Sequence, residues 1–386
     1  MRIKKLILNN FRQFGNLELD FTDENGKVLD VVVFAGVNGS GKSTILQFLA
    51  DCANCCNNDF SALEWINDID FSISLSNCED IYFVRNFKEE QNKQQRIELL
   101  REQFLKINQI SSTEFIWLRD RGCMNSSLLE GVIDFDITQY NILKKIQSIV
   151  FKDKHQAPYT VIQNTINSIN DALKILKTNT RLIDIESERL VFSNGLKNDL
   201  TFDNLSNGEK QLFFQIFTLY NLHLKNGILL IDEPEDAMHP TWQSEILNVY
   251  KNIGIDNQVF VATHSPHILS SVKPESLFVL NIEQTTSKIE AFNMAKERKN
   301  TKGLDPNRIL TEIMGAPLRD YKTQQRIDNL SALIKAANAA PNGNIQTIEE
   351  DLQTLTIDFG RQDYNVMLFN NELMLLKRKK SKIQMV

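Results

Sequence analysis

The chain has 386 residues, of which 43 are basic and 49 acidic, so that its formal net charge is −6 and its pI is near 5.6. This acidic balance argues against binding nucleic acid over the whole surface and leaves only a local basic patch as a candidate contact. No apolar run approaches the roughly eighteen residues of a membrane span, and the N-terminal apolar run is too short for a secretion signal. We therefore expect a cytoplasmic protein that does not enter a membrane.

The first predicted strands lead into a glycine-rich loop. The stretches Ile3–Phe11, Leu17–Phe21 and Val28–Phe34 are apolar or alternate with period two, which predicts three β-strands. The third strand runs directly into the sequence GVNGSGKST at 36–44, and a helix is predicted from Ser43 onward. A strand, this loop and a helix in that order are typical of a phosphate-binding loop.

The loop has the residue types that phosphate binding requires. Its backbone amides and the following helix N-terminus can surround phosphate oxygens, and its glycines allow the backbone to come close. Lys42 is expected to reach the β- and γ-phosphates, and the Ser43 hydroxyl is expected to hold Mg²⁺. A glycine-rich turn without a ligand would not require every fixed position to match. The residues predicted to bind a nucleoside triphosphate are Gly36, Asn38, Gly39, Ser40, Gly41, Lys42, Ser43 and Thr44.

Residues 88–180 differ from the segments on either side and are predicted to form a mainly helical insertion. Apolar residues at helical spacing occur at 97–107 and 162–176, and both stretches are too short for a long coiled coil. Two helices of a compact insertion are therefore preferred. Between them, Phe115–Leu118 predicts a short strand.

From about residue 182 the chain alternates between strands and helices. A long apolar helix is predicted at 211–224, and strands are predicted at 182–185, 189–192, 228–231, 259–262, 277–280 and 288–292. This alternation predicts an α/β core with a mostly parallel sheet.

Two carboxylates follow the apolar strand at Ile228–Ile231. Asp232 is predicted to complete the Mg²⁺ shell through water, because Mg²⁺ prefers few direct carboxylates. Glu233 is placed to polarise a water beside the γ-phosphate, since phosphoryl transfer depends mainly on positioning and charge neutralisation. A strand that ends in Asp-Glu is common by itself, and it becomes informative after a phosphate-binding loop.

The segment Leu205–Gln211 opens the long apolar helix and has two interpretations. Ser206 and Glu209 fit a capping box, which requires no ligand. Alternatively, Ser206 and Gly208 at a helix N-terminus form an anion site that receives a phosphate from another subunit. The second interpretation is preferred because of the other motifs in the chain.

His264 ends the predicted strand at 259–262 and is a candidate γ-phosphate sensor. It follows Glu233 at a spacing that suits one crossover helix and a neighbouring parallel strand. Parallel neighbours place their carboxyl ends together, which is where α/β folds bind ligands.

The region after residue 295 is polar and is predicted to be helical. Asp305-Pro306 is a good helix start, with Asp as the N-cap and Pro at the first helical position. Near the end of the chain, 377–382 is rich in Lys and Arg. This stretch either contacts DNA phosphates, with affinity that falls steeply with salt, or is simply solvated.

Together these motifs resemble the ABC-type ATPase family, with the phosphate loop at 36–44, the signature at 205–211, the paired carboxylates at 232–233 and a switch histidine at 264. The resemblance implies ATP and Mg²⁺ as cofactors, with Lys42, Glu233 and His264 as catalytic residues. In that family two heads enclose ATP, so ATP on one subunit would meet Ser206 and Gly208 of another. Hydrolysis therefore implies dimerisation or a higher oligomer.

Two further stretches narrow the resemblance. The start of the chain, Asn10–Phe14, looks like the SMC, RecF and OLD-like ATPases, in which the residue at Arg12 tends to lie near the nucleotide. The stretches 303–310 and 314–319 are similar to stand-alone AAA-type ATPases of bacterial anti-phage systems, including Septu ATPases and those found beside retrons. In that group a separate HNH nuclease is usually the effector.

The resemblance implies an α/β fold: an ABC-type P-loop ATPase head with a mostly parallel core sheet, an antiparallel β subdomain, a helical insertion and a helical C-terminal region. The predicted bounds are 1–87 and 181–295 for the two ATPase lobes, 88–180 for the insertion and 296–386 for the C-terminal region. The first functional hypothesis is a defence ATPase that controls a separate nuclease in response to DNA or a phage-derived trigger. The alternatives are an SMC- or RecF-like repair ATPase that acts directly on DNA, and a scaffold locked by ATP with little turnover.

Overall fold

A computed structural model describes residues 2–9, 11–56, 70–76, 98, 101–102, 115–119, 122–125, 140, 143–144, 157–186, 189–222, 224–283, 286, 288–316, 319–339 and 345–383. The chain divides into two compact units, Met1–Met314 and Gly315–Val386. This division falls later than the predicted boundary at 296, because Ile309 and Ile313 are buried in the core of the first unit. Most of the charged helix predicted at 88–109, which includes the apolar positions at 97–107, lies outside the described residues.

The first unit is built around a central sheet. Among the described residues its strands are β1 Ile3–Asn9, β2 Asn16–Asp20, β3 Val31–Gly36, β4 Asp70–Leu75, β5 Phe115–Arg119, β6 Gly122–Asn125, β7 Arg181–Ile185, β8 Leu190–Ser193, β9 Ile228–Asp232, β10 Gln258–Ala262, β11 Leu277–Ile282 and β12 Ile289–Asn293. Seven of these described strands form the central sheet in the order β12-β11-β3-β10-β9-β5-β6. The five inner strands are parallel, and both edge strands are antiparallel to their neighbours. The predicted α/β fold with a mostly parallel core sheet is confirmed.

The helices of the first unit cover the faces of this sheet. Those within the described residues are α1 Lys42–Cys56, α2 Pro158–Ile175, α3 Asn207–Leu222, α4 Pro240–Gln243, α5 Ile246–Asn252, α6 Pro266–Ser271 and α7 Pro306–Arg308. The side chains of β3 alternate between two clusters: Phe34 packs in the cluster that contains α1 residues, and Val33 packs in the cluster that contains α3 residues. A parallel strand that is buried on both faces has a continuous apolar sequence, which explains the uninterrupted runs before the loop and before Asp232.

The strand predicted at Phe115–Leu118 has a role that the sequence did not reveal. β5 pairs in parallel with β9, with Leu118 opposite Ile231. A segment expected inside the helical insertion therefore extends the central sheet. A short apolar run indicates a strand but contains no information about which strand it pairs with.

The antiparallel strands lie outside the central sheet. β1 pairs with β2 and with β4, and β7 pairs with β8. The first group forms the predicted antiparallel subdomain. The helix expected at 162–176 is α2, whose residues Ile166, Ile169 and Leu173 are buried.

The second unit is helical, as predicted. Among the described residues its helices are α8 Tyr321–Ala339, α9 Ile345–Phe359 and α10 Tyr364–Ile383. Their apolar faces share one core that includes Leu330, Leu352 and Val366. In the basic stretch of α10, Lys377 forms an ion pair with Glu349. In the part of the chain that the structure describes, no helix is both long and apolar enough to cross a membrane.

Candidate active site

Three neighbouring strands deliver the predicted site residues to one edge of the sheet. Ala262, the last residue of β10, lies opposite Phe34 of β3 on one side and Asp232 of β9 on the other. The loop after β3, His264 and the Asp232–Glu233 pair therefore emerge side by side. The prediction that the strands before Glu233 and before His264 are adjacent is confirmed.

The loop at 36–44 has a backbone that demands glycine at two positions. Gly36 has φ of 148°, and a Cβ there would lie 2.3 Å from the carbonyl oxygen of Leu280. Gly41 has φ of 88°, and its Cβ would lie 2.5 Å from the Phe14 ring. Any side chain at either position would displace the loop.

The remaining loop residues divide into exposed and buried ones. Asn38 and Gly39 are exposed, whereas Ser40 is fully buried and Thr44 partly buried. Within the described residues, the Ser40 hydroxyl has no hydrogen-bond partner. A buried hydroxyl that lacks a partner is uncommon, and in this loop it fits a site for phosphate oxygens.

Lys42 is buried at the centre of the site. Its Nζ donates to the carbonyl oxygens of Gly36 at 3.0 Å and Val37 at 3.3 Å, and it lies 3.5 Å from Nδ1 of His264. Burial lowers the Lys42 pKa to about 8, although the nearby Glu233 and Asp232 carboxylates act in the opposite direction. The ammonium is therefore poorly solvated and would gain from an anionic ligand.

Ser43 and Asp232 form a pair of oxygen donors. The Ser43 hydroxyl donates to Oδ1 of Asp232 at 2.9 Å, and the Asp232 side chain is almost completely buried. A hydroxyl and one carboxylate are the few protein oxygens that Mg²⁺ takes when it retains water and binds a nucleotide phosphate. The donor set thus fits that cation.

Glu233 lies just beyond β9 and faces His264. Its backbone has φ of 49°, its N–H donates to the Ala262 carbonyl at 2.9 Å, and its Oε1 lies 3.4 Å from Nε2 of His264. Burial and the positive charge of Lys42 lower the pKa of His264, against the opposing effect of Glu233. This environment therefore favours the neutral imidazole.

Ser206 and Gly208 lie at the start of α3 and are not bonded to the residues above in the described part of the chain. The Ser206 hydroxyl donates to Oε2 of Glu209 at 2.7 Å, and the Ser206 N–H also donates to Oε2 at 2.9 Å. The predicted capping box is therefore present. Thr180 donates to the other oxygen of Glu209. Burial raises the Glu209 pKa, but these hydrogen bonds outweigh it and hold the pKa below its usual value.

Arg12 lies in a turn that packs on the phosphate loop. Arg12 is exposed with φ of 51°, and its guanidinium lies 5.3 Å from the centroid of the Phe11 ring. The next residue, Gln13, donates from Nε2 to the Gly39 carbonyl at 3.3 Å. The structure thus brings the turn that contains Arg12 into contact with the loop.

One residue of the site was missed by the sequence analysis. Glu235 is partly buried two residues after Glu233, and one of its oxygens accepts hydrogen bonds from the segment that carries His264. Its only sequence signal is a carboxylate after Pro234, and this does not reveal what the side chain contacts.

Comparison with known proteins finds two ATPase domain families. Residues 1–126 match a family described as "AAA ATPase domain". Residues 124–270 match a family described as "AAA domain, putative AbiEii toxin, Type IV TA system".

Several curated proteins are similar to this chain over most of their length. The retron Vc95 probable ATPase of Vibrio cholerae serotype O1 biovar El Tor is 21% identical over 387 residues, covering 73% of this chain and 74% of that protein. The Septu protein PtuA of Bacillus thuringiensis is 22% identical over 346 residues, covering 81% and 84%. A solved SMC head bound to the C-winged helix domain of ScpA is 16% identical with a TM-score of 0.47, covering 77% of this chain and 99% of that one. Both matched families are ATPase domains, which supports ATP hydrolysis by this chain, and the chain is similar to Septu PtuA and to retron ATPases.

Proposed function

We propose that this cytoplasmic ATPase pairs head to head around ATP and thereby controls a separate nuclease in anti-phage defence. One observation carries the proposal. Five side chains converge from the ends of three strands, namely Lys42, Ser43, Asp232, Glu233 and His264. The proposed signature residues lie instead at the start of helix α3. The defence role is supported by the Septu and retron relatives.

The loop at 36–44 would hold the nucleotide, and the Ser43 hydroxyl with the Asp232 carboxylate would hold Mg²⁺. Loop amides, the Ser40 hydroxyl and the Lys42 ammonium bind and orient the phosphates, and Ser43 with Asp232 holds Mg²⁺. When bound, MgATP supplies the phosphoryl group and part of the charge neutralisation. We place Arg12 at the edge of this site, beside the loop that Gln13 contacts.

Glu233 and His264 are proposed to act at the γ-phosphate end. The Glu233 carboxylate orients a water molecule and accepts hydrogen bonds from it. His264, held neutral by burial and by Lys42, can donate from one ring nitrogen and accept at the other, which suits a sensor of the γ-phosphate.

The signature residues are proposed to complete the site of a second copy. Ser206 is exposed at the N-terminus of α3, where backbone N–H groups and the helix dipole favour an anion. In a two-fold dimer each copy would supply Ser206 and Gly208 to the other, so two sites would be completed together.

The nuclease partner is proposed to be of the HNH type, triggered by DNA or by a phage-derived molecule. This part rests on the resemblance of 303–310 and 314–319 to anti-phage ATPases, a group in which a separate HNH nuclease is usually the effector.

The test is co-expression of the tagged chain with its native neighbouring genes, followed by purification, mass spectrometry and a nuclease assay with and without ATP. We expect a nuclease to co-purify and its activity to depend on ATP in the wild type. Lys42→Ala should remove this dependence, and Asp236→Asn, on the same turn as Glu233, is the matched control. A chain that purifies alone and whose ATPase is stimulated by DNA would instead favour direct action on DNA. A chain without measurable turnover would favour the scaffold.

A further inference from the structure

Glu235 joins the turn after β9 to the segment that carries His264. We propose that Glu235 is a positioning residue that holds His264 between Lys42 and Glu233. The inference rests on the proposed role of His264 in the ATPase reaction.

One oxygen of the Glu235 carboxylate accepts hydrogen bonds from three successive residues. Oε1 of Glu235 accepts from the Thr263 hydroxyl at 2.6 Å, from the His264 N–H at 2.7 Å and from the Ser265 N–H at 2.9 Å. The three donors are consecutive in the chain, with His264 in the middle. A single acceptor that binds three successive residues fixes the local backbone path, and hence the direction in which the imidazole leaves it.

These N–H groups need Glu235 because the sheet ends at this point. The Thr263 N–H still donates to the Phe34 carbonyl at 3.0 Å, but β10 itself ends at Ala262. Ser265 is almost completely buried, so its N–H depends on partners within the protein. Its described acceptors are Glu235 and the Thr263 hydroxyl, which itself donates to Glu235. Loss of the carboxylate would leave buried donors without an adequate acceptor, which is costly.

The turn that holds Glu235 is itself fixed to the same segment. Gln243 donates to the Met238 carbonyl at 3.0 Å and accepts from the Ser265 hydroxyl at 2.6 Å. The Glu233 N–H donates to the Ala262 carbonyl. Because both ends of the turn are attached, movement of Glu235 and movement of His264 are mechanically linked.

The cost of burying this carboxylate argues for a role beyond stability. Its second oxygen, Oε2, is buried and has no hydrogen-bond partner in the described part of the chain. Burial raises the Glu235 pKa, although the hydrogen bonds to Oε1 act in the opposite direction. A buried carboxyl group with one unpaired oxygen destabilises a fold, and such costs are typical of functional sites.

The hydrogen bonds to Glu235 place the His264 imidazole between Lys42 and Glu233. His264 has Nδ1 3.5 Å from Nζ of Lys42 and Nε2 3.4 Å from Oε1 of Glu233. Both contacts would be lost if the backbone at 263–265 shifted by about 1 Å, and a misplacement of that size can cost about 10²-fold in rate.

The test combines steady-state ATP hydrolysis with ATP binding in Glu235→Ala, Glu235→Gln, His264→Ala and the Glu235→Ala/His264→Ala double variant. Glu235→Ala should lower kcat by about 10²-fold while the Kd for a non-hydrolysable ATP analogue stays the same. Glu235→Gln retains an acceptor at Oε1 and should recover most of the lost kcat. The double variant should be no slower than His264→Ala, because Glu235 acts through that histidine.

Asn257→Ala is the matched control for lost stability. The buried Asn257 side chain accepts from the Gly227 N–H at 2.9 Å and donates to the Ile253 carbonyl at 3.1 Å, beside the other end of β10. Its loss should lower the thermal unfolding temperature without lowering kcat.

Three results would overturn the inference. The first is a double variant whose loss of kcat equals the combined losses of the two single variants. The second is a wild-type kcat in Glu235→Ala while His264→Ala is slow; this result would leave the proposed function intact. The third is His264→Ala at the wild-type rate, which removes the sensor role and the inference with it. If Glu235→Ala does not fold, Thr263→Val removes one of the three donors and should lower kcat by a smaller factor, whereas an unchanged kcat would count against the positioning role.

Discussion

At the residue scale, Glu233 has a left-handed backbone conformation, and its side chain contacts His264. A φ of 49° is rare for a residue other than glycine, and such conformations occur where the surrounding structure holds them in place. Here the hydrogen bond from the Glu233 N–H to the Ala262 carbonyl and the side-chain contact with His264 stabilise this conformation. The backbone turns sharply just after the buried strand, so the carboxylate remains partly exposed and accessible to water.

Glu233→Gln should therefore bind ATP normally and hydrolyse it about 10²- to 10⁴-fold more slowly, because the amide cannot accept the water proton. Single-turnover phosphate release and binding of a fluorescent ATP analogue measure the two properties separately. Asp236→Asn removes an exposed charge from the same turn and should leave both unchanged. Hydrolysis by Glu233→Gln at the wild-type rate would show that another group activates the water.

Through Lys42, we expect the affinity for the nucleotide to weaken as pH rises. Its pKa is about 8 because burial disfavours the ammonium, and a bound phosphate favours the charged form. Above pH 8 binding must therefore take up a proton, so affinity should weaken by up to about tenfold per pH unit and be constant below about pH 7. Calorimetric titration with a non-hydrolysable analogue at pH 7, 8 and 9 tests this.

Lys42→Arg is the control for this pH dependence, because guanidinium stays charged throughout the range. Its affinity is expected to be lower but independent of pH. Burial and Lys42 lower the pKa of His264, which favours its neutral form over the same range. An affinity of the wild type that does not change between pH 7 and pH 9 would contradict the assignment of the phosphate contact to Lys42.

At the scale of elements, helix α3 and the turn after β9 are in contact. A Cβ on Gly208 would lie 2.5 Å from the carbonyl oxygen of Ala237, which is in the same turn as Glu233 and Glu235. The start of α3 therefore packs on the turn that carries Glu233, the proposed catalytic carboxylate. Gly208 has a packing role within one chain in addition to its proposed contact with ATP in a second copy.

Gly208→Ala should destabilise the protein by about 1–3 kcal/mol, since the backbone oxygen cannot move aside without shifting the turn. The same shift should lower kcat. Urea unfolding and ATP hydrolysis measure both effects, and Asn207→Ala at the exposed neighbouring position is the control. Wild-type stability of Gly208→Ala would mean that the contact relaxes at no cost.

At the scale of the whole molecule, the described chain holds one set of predicted nucleotide-binding residues and one exposed Ser206, whose described hydrogen bonds go to Glu209 and not to that set. This arrangement is the reason for proposing that two copies share each ATP. The second unit, Gly315–Val386, has its own apolar core.

Ser206→Arg should bind ATP with wild-type affinity and fail to pair. The substitution places a long cationic side chain where the partner's phosphate would approach, and loss of the helix cap costs only about 1 kcal/mol. Light scattering of the Glu233→Gln protein with ATP, with and without Ser206→Arg, measures the pairing. Asp203→Arg, on the exposed turn before the helix, should still pair, and loss of ATP binding in Ser206→Arg would argue against a shared site.

The amino-acid sequence by itself determined the local parts of this protein. The apolar runs before Gly36 and Asp232 identified buried parallel strands, and the loop sequence predicted a phosphate site, because both depend on neighbours in the chain. The adjacency of the strands before Glu233 and His264 also followed, since their spacing leaves room for a short helical crossover and few other arrangements, and the crossover consists of the two helices α4 and α5. The roles of these residues and of Arg12 remain predictions.

The tertiary structure decided what depends on distant segments. It placed β5 beside β9, set Gly208 against Ala237 and brought the Glu235 carboxylate to the backbone of His264. None of these contacts has a local pattern, because periodicity reports which face of an element is buried and not what buries it. A polar side chain next to a catalytic residue acquires its function only when folding supplies its partners.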